Sequence, residues 1–173
     1  IEVAYRPAEL AKDESNVVDA VLELIDRLER DEGSLPDAVC LLQPTSPFVL
    51  PEHLGRAVEM LANDSDAESV QSITTFPPNH HAFNQRQVVD GKMSFVFHDE
   101  RMRFYNKQKK PPFYIWGNVF LTRVSALREQ GTLFADPVVG FEVDPLHALD
   151  VDGPADFPYA EYLIETGKVT LPE

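Results

Sequence analysis

The sequence predicts an α/β fold in one domain spanning residues 1–173, with a parallel or mixed sheet covered by helices. Helical and strand-like stretches alternate from Val17 to Thr75, the order that places helices on the faces of a sheet. Ala38-Val39-Cys40-Leu41-Leu42 is wholly apolar, which suits a strand buried on both faces. Hydrophobic residues make up 43% of the chain and charged residues 25%, the balance of an ordinary globular domain.

The opening Ile1-Glu2-Val3-Ala4-Tyr5-Arg6-Pro7 has no initiator methionine and a strand-like character, as if it began inside a fold. Asp13 and Ser15 are candidate N-caps for the helix that follows. Val17, Val18, Val21, Leu22, Leu24, Ile25 and Leu28 recur at three- and four-residue spacing, predicting an amphipathic helix to Arg30 with Gly33 beyond its end. After the 38–42 strand, Gln43-Pro44-Thr45-Ser46-Pro47 forms a stiff extended loop, because two prolines stop the strand. Pro51 fits the first turn of a second helix, with Leu54, Ala57, Val58 and Leu61 facing inward. Residues 68–75 read as a strand, Val89-Asp90-Gly91-Lys92 as a hairpin turn, and 113–121 as a strand in which Gly117 marks a bulge or a close backbone approach. A short helix near 124–130, a strand near 137–143 and a helix near 156–166 complete the order.

Twenty-nine acidic against fifteen basic residues give a net charge of −14, which disfavours nucleic acid and anionic membrane as partners. The single Cys40 excludes an intrachain disulfide framework and fits a reducing, cytoplasmic setting; inside a buried strand it is expected to behave as a small hydrophobe. No apolar run approaches the roughly 20 residues needed to span a bilayer.

Three constellations carry chemistry. Gln43, Thr45 and Ser46 follow a strand on the side where open α/β sheets bind ligands, and offer an amide and two hydroxyls to a polyhydroxylated molecule. The bland reading is a loop whose hydroxyls cap backbone groups. Asp150-Val151-Asp152 places two carboxylates on one side of an extended segment, a donor set for Mg²⁺ completed by water and phosphate; the bland reading is a solvated acidic turn. Arg101, Arg103, Lys107, Lys109 and Lys110 concentrate five of the fifteen positive charges, suited to phosphate, carboxylate or an acidic neighbouring subunit, or else to solvent. His80-His81 reads as a loop pair without metal partners, and Trp116 as packing or a subunit contact. A Gly-rich phosphate loop is absent from the sequence.

In this order and spacing, Arg6-Pro7-Ala8-Glu9-Leu10-Ala11 with Asp13, Leu41-Leu42-Gln43-Pro44-Thr45-Ser46-Pro47, and Asp150-Val151-Asp152 with Asp156 and Ala160-Glu161 resemble the CMP-sugar synthetases, the acylneuraminate cytidylyltransferase family. The resemblance covers nearly the whole chain. It implies a three-layer α/β/α, Rossmann-like nucleotide-diphospho-sugar transferase fold with a mixed sheet and a small dimerisation arm. The activity it implies is Mg²⁺-dependent transfer of CMP from CTP to a 2-keto sugar acid, N-acetylneuraminate or a related nonulosonate, with release of pyrophosphate. It also implies roles: Arg6, Asp13 and Ser15 at the nucleotide; Gln43, Thr45, Ser46, Gln108 and Asn118 at the sugar; Lys107 near its carboxylate or the phosphates; and Asp150 and Asp152 at the metal. A homodimer through an arm at 92–112 is implied as well. Against the family pattern, the sequence lacks the N-terminal strand and phosphate loop, has lysine before Gln108, and reads Gly117-Asn118 where the family shows Asn-Gly. The absent loop keeps open a non-catalytic or truncated relative that binds a sugar acid or acts as a dimeric structural module. UTP or GTP in place of CTP also stays open.

Overall fold

Asn16, not Asp13 or Ser15, caps the first helix: its side chain accepts the Val18 N–H at 2.9 Å, and α1 runs Val17–Glu32. Ser15 instead closes the preceding turn, donating to the Glu9 carbonyl and accepting from the Lys12 N–H. Gly33 ends α1 in the left-handed region at φ 71°. These features come from a computed structural model that describes residues 2–171. Glu2–Tyr5 form no strand, and Ile1 of the expected strand-like opening lies outside the described residues.

The remaining elements are β1 (Ala38–Leu41), α2 (Pro51–Asn63), β2 (Ser69–Thr74), β3 (Arg86–Val89), β4 (Lys92–Phe95), α3 (His98–Arg103), β5 (Ile115–Arg123), α4 (Val124–Gln130), β6 (Val138–Glu142) and α5 (Phe157–Glu165). The main sheet is mixed, in the order β1-β5-β2-β6: β5 runs antiparallel to both β1 and β2, and β6 runs parallel to β2. One face packs Ala57 and Leu61 of α2 on Val70, Val119, Leu121 and Phe141. The other packs Val18 and Ile25 of α1 with Val124 and Leu127 of α4 over Val39 and Leu41. The three-layer mixed α/β architecture is the expected one. A third cluster, Phe48, Leu163 and Val169, seats α5.

Two sequence expectations are corrected. Among the described residues β1 pairs only with β5, at one end of the strand order rather than inside it. Its alternation puts Val39 and Leu41 against α1 and α4 and leaves Cys40 exposed, not buried as a core hydrophobe. On α2, Leu54, Ala57 and Leu61 face inward as expected, but Val58 is 55% exposed and Met60 packs on the core instead.

β3 and β4 form the expected hairpin, its two-residue turn at Asp90-Gly91 having φ of 50° and 73° as a type I′ turn requires. The hairpin begins at Arg86, so the 92–112 range takes in only its second strand. It stands on an aromatic cluster: Phe83 meets Phe97, Phe104 and Phe113, and buried His81 stacks on Phe113 with centroids 4.6 Å apart. The His81 ring bridges the Pro111 carbonyl and the Phe83 N–H, so it is a structural residue of the arm's root.

Candidate functional site

The carboxyl ends of β1, β2 and β6 and the start of β5 meet on one edge of the sheet. A cavity of about 480 Å³ opens there, lined by Gln43, Ser46 and Asp150 together with Asn16, Trp116, Gly117, Phe120, Thr132, Leu133, Phe134 and Ala148 among others. Three residues predicted from two separate motifs therefore converge. They do so because backbone bonds join their loops: Ser46 N–H donates to the Gln43 carbonyl, and Val151 N–H donates to the Thr45 carbonyl at 2.8 Å. Thr45 acts through that carbonyl and does not itself line the cavity.

The opposite wall is aromatic. Trp116 stacks on Phe134 with centroids 5.9 Å apart, and Phe120 meets both rings edge-on. Buried polar side chains of the sheet hold this wall. Thr122 Oγ1 donates to the Leu133 carbonyl at 2.7 Å and Ser69 Oγ to the Ala135 carbonyl at 2.8 Å, which fixes the segment presenting Phe134. The Gln130 carboxamide braces Asp136 by two bonds of 2.8 Å.

Asp150 is the only charged side chain lining the cavity among the described residues. Asp150 and Asp152 are both exposed, and no ion pair engages either among the described residues. Asp156 is already committed, its Oδ2 accepting the N–H groups of Asp152 and Gly153 at 3.0 and 2.9 Å. No group of three or more metal-ligating side chains occurs among the described residues. Two carboxylates without a protein cage fit Mg²⁺ that keeps waters and takes phosphate oxygens, rather than a resident structural ion.

The other predicted residues lie elsewhere. Lys107 lines a second cavity of about 220 Å³ with Lys110, His81, Phe113 and Tyr114, adjoining the first through the 113–117 segment. Lys110 Nζ donates to Asn84 Oδ1 at 2.6 Å, and burial followed by the nearby Arg101 charge lowers its pKa. Gln108 is exposed and lines neither cavity. Arg6 and Asp13 are exposed and outside the cavity, in a segment held to α1 by an Arg27 bond to the Tyr5 carbonyl. Asn118 does not line the cavity: it is 2% exposed, and its carboxamide is engaged by Ser72 and the His147 carbonyl.

No protein-family model matches the chain. It is 26% identical over 169 residues to a CMP-N,N'-diacetyllegionaminic acid synthase from Legionella pneumophila, covering 96% of this chain and 70% of that protein. It is 28% identical over 167 residues to N-acylneuraminate cytidylyltransferase A from Danio rerio, covering 92% of this chain but 35% of that protein. The chain is similar to CMP-sugar synthetases, and both of these relatives are enzymes by name, a synthase and a cytidylyltransferase. The structure of a CMP:2-keto-3-deoxy-manno-octonic acid synthetase complexed with CTP superposes at a TM-score of 0.61 with 14% identity, covering 90% of this chain and 70% of that one, a match of fold. Trp116, Phe120, Phe134 and Asn16 are among the cavity residues that no motif singled out as a site. Trp116 and Phe120 share a face of β5, a spacing legible in the sequence; Phe134 lies in a loop and left no such signal.

Proposed function

We propose that the chain is a cytidylyltransferase domain that transfers CMP from CTP to a 2-keto sugar acid and releases pyrophosphate. The convergence of Gln43, Ser46 and Asp150 in one cavity at the carboxyl edge of the sheet carries this reading. With no Lys or Arg among its described lining residues, the cavity suits the acceptor sugar better than a triphosphate. Gln43 and Ser46 offer hydrogen bonds to sugar hydroxyls, while the Trp116–Phe134 wall takes apolar substituents. A nonulosonate carrying N-acyl groups is thus the favoured acceptor. Lys107, in the adjoining cavity, is the nearest assigned cation for the sugar carboxylate or a phosphate.

In the proposed reaction the anomeric oxygen bonds to the α-phosphorus of CTP, the bond from that phosphorus to the pyrophosphate oxygen breaks, and the hydroxyl proton leaves to solvent. Bound Mg²⁺ supplies charge neutralisation of the phosphates. Asp150 and Asp152 would hold that ion, Asp150 as a lining residue of the cavity proposed for the acceptor. Gln43 and Ser46 orient the acceptor, and the aromatic wall excludes water from one side of it.

The test is pyrophosphate release with CTP, Mg²⁺ and a panel of sugar acids with and without N-acyl groups. Release with an acylated acid, abolished by Asp150→Asn or Asp152→Asn in a cooperatively folded protein, is the expected result. Near-normal turnover by either variant removes the metal assignment. The cation-free lining favours a second reading, a module that binds sugar acid without turnover. Saturable binding of the acid with no release under any nucleotide, UTP and GTP included, would establish it. We also propose a cytoplasmic homodimer joined through the arm; among the described residues no helix is long and apolar enough to cross a membrane.

A further inference from the structure

Opposite Ser72, β5 loses register with β2: Gln71 faces Phe120 and Ile73 faces Trp116, so Gly117, Asn118 and Val119 stand across from one residue. The Ser72 hydroxyl fills the gap. Its Oγ accepts the N–H groups of Asn118 at 2.7 Å and Val119 at 2.9 Å, and its hydrogen is donated to Asn118 Oδ1 at 3.2 Å. That uses the full capacity of a hydroxyl, and Ser72 has no exposed surface.

The same interaction fixes which way the Asn118 amide points. Were it flipped, Nδ2 would face a hydroxyl with no lone pair left, and Oδ1 would face the His147 carbonyl, acceptor against acceptor. In the assigned orientation Nδ2 donates to the His147 carbonyl at 2.7 Å and has its other hydrogen toward His53 Nδ1 at 3.5 Å. His147 belongs to the segment that leaves β6 and carries Asp150. That segment is tied at one end by the Val143 N–H to the Ile73 carbonyl and at the other by the Val151 N–H to the Thr45 carbonyl. The Asn118 bond to His147 is a tie between them, and it holds the segment three residues before Asp150.

We infer that Asn118, pinned by Ser72, is a positioning residue that sets the Asp150 segment at its distance from Gln43 and Ser46. It touches no ligand. The bulge that makes Trp116 part of the cavity wall therefore also places the acidic segment across the cavity, so both sides of the site take their positions from one irregularity in β5. The tie itself stands on geometry alone; its effect on turnover rests on the cytidylyltransferase reading.

The experiment compares the wild-type protein with Asn118→Asp, which keeps the shape but removes both donor hydrogens, and with Asn118→Ser, which is smaller. Hydrogen exchange is read in peptides covering 144–151 and, as internal control, in β1 and the second half of β5. Roughly tenfold faster exchange confined to 144–151 is expected, with a roughly tenfold higher half-saturating Mg²⁺ concentration for pyrophosphate release. Unchanged exchange at 144–151 in a folded variant overturns the inference. So does loss of cooperative unfolding in both variants, which would make Asn118 a general core residue. If the wild-type protein releases no pyrophosphate, the enzymatic reading fails, and the exchange comparison still decides whether Asn118 holds the segment.

Discussion

At Gly117 a Cβ would overlap the Ser72 hydroxyl and press on Val143, so the position admits only glycine while the bulge is intact. Gly117→Ala must displace Ser72 or the strand, and is expected to destabilise the fold by about 1–3 kcal/mol, as overpacking of a tight core does; chemical denaturation measures it. His53 shows a different sensitivity. Its Nδ1 accepts the Leu50 N–H at the start of α2 and faces the Asn118 amide, so the ring works as an acceptor and protonation there would oppose two donors. Burial, then the charge of His147, lowers its pKa; Glu52 raises it and Arg56 lowers it further. A depressed folded pKa means the unfolded chain binds the proton more readily. The contribution of neutral His53 is thus complete above the unfolded value of about 6.5 and is lost as pH falls through the folded one. Stability should decline on acidification across that window, and His53→Gln should reduce the decline. An equal pH slope in that variant removes His53 from the account.

The arm is an element with its own core, since Phe83, Phe97, Phe104, Phe113 and His81 pack on one another at its root. Beyond that root its outer surface is apolar. Val88 and Met93 are direct cross-strand partners and are 69% and 68% exposed, and Val89, Met102 and Tyr105 are exposed nearby. An apolar patch of this kind marks an interaction surface, and a second copy of the chain is the proposed occupant. Light scattering of the wild-type protein is expected to give a dimer, and V88E/M93E a monomer of undiminished thermal stability. A double variant that stays dimeric places the contact elsewhere. The basic cluster bears on the same element: Arg86 and Arg101 lie over Phe95, and Arg103 over Phe104. Two of the five cluster cations, Arg101 and Arg103, are therefore engaged with the arm's own rings.

Across the molecule, what could be read from sequence was what local periodicity and turn chemistry encode. The α1 pattern from Val17 to Leu28, the Asp90-Gly91 turn and the close approach at Gly117 were all legible. Gln43, Ser46 and Asp150 were legible as motifs, but their meeting in one cavity depends on the Thr45–Val151 bond between distant loops. The exposure of Cys40 was not legible, because an apolar run looks the same whether its strand is central or outer. The role of Asn118 was hidden for a similar reason: its partners Ser72 and His147 lie far from it in the chain. The sheet order has a kinetic consequence. β5 must join β1 across about 80 residues of chain and β2 across about 50, whereas the β3–β4 hairpin closes through two. The hairpin can therefore form within microseconds, while the cavity edge of the sheet waits for much longer loop closures. During that interval β1 and β2 lack their shared central partner, and this is when the polypeptide is most open to pairing with another copy of itself.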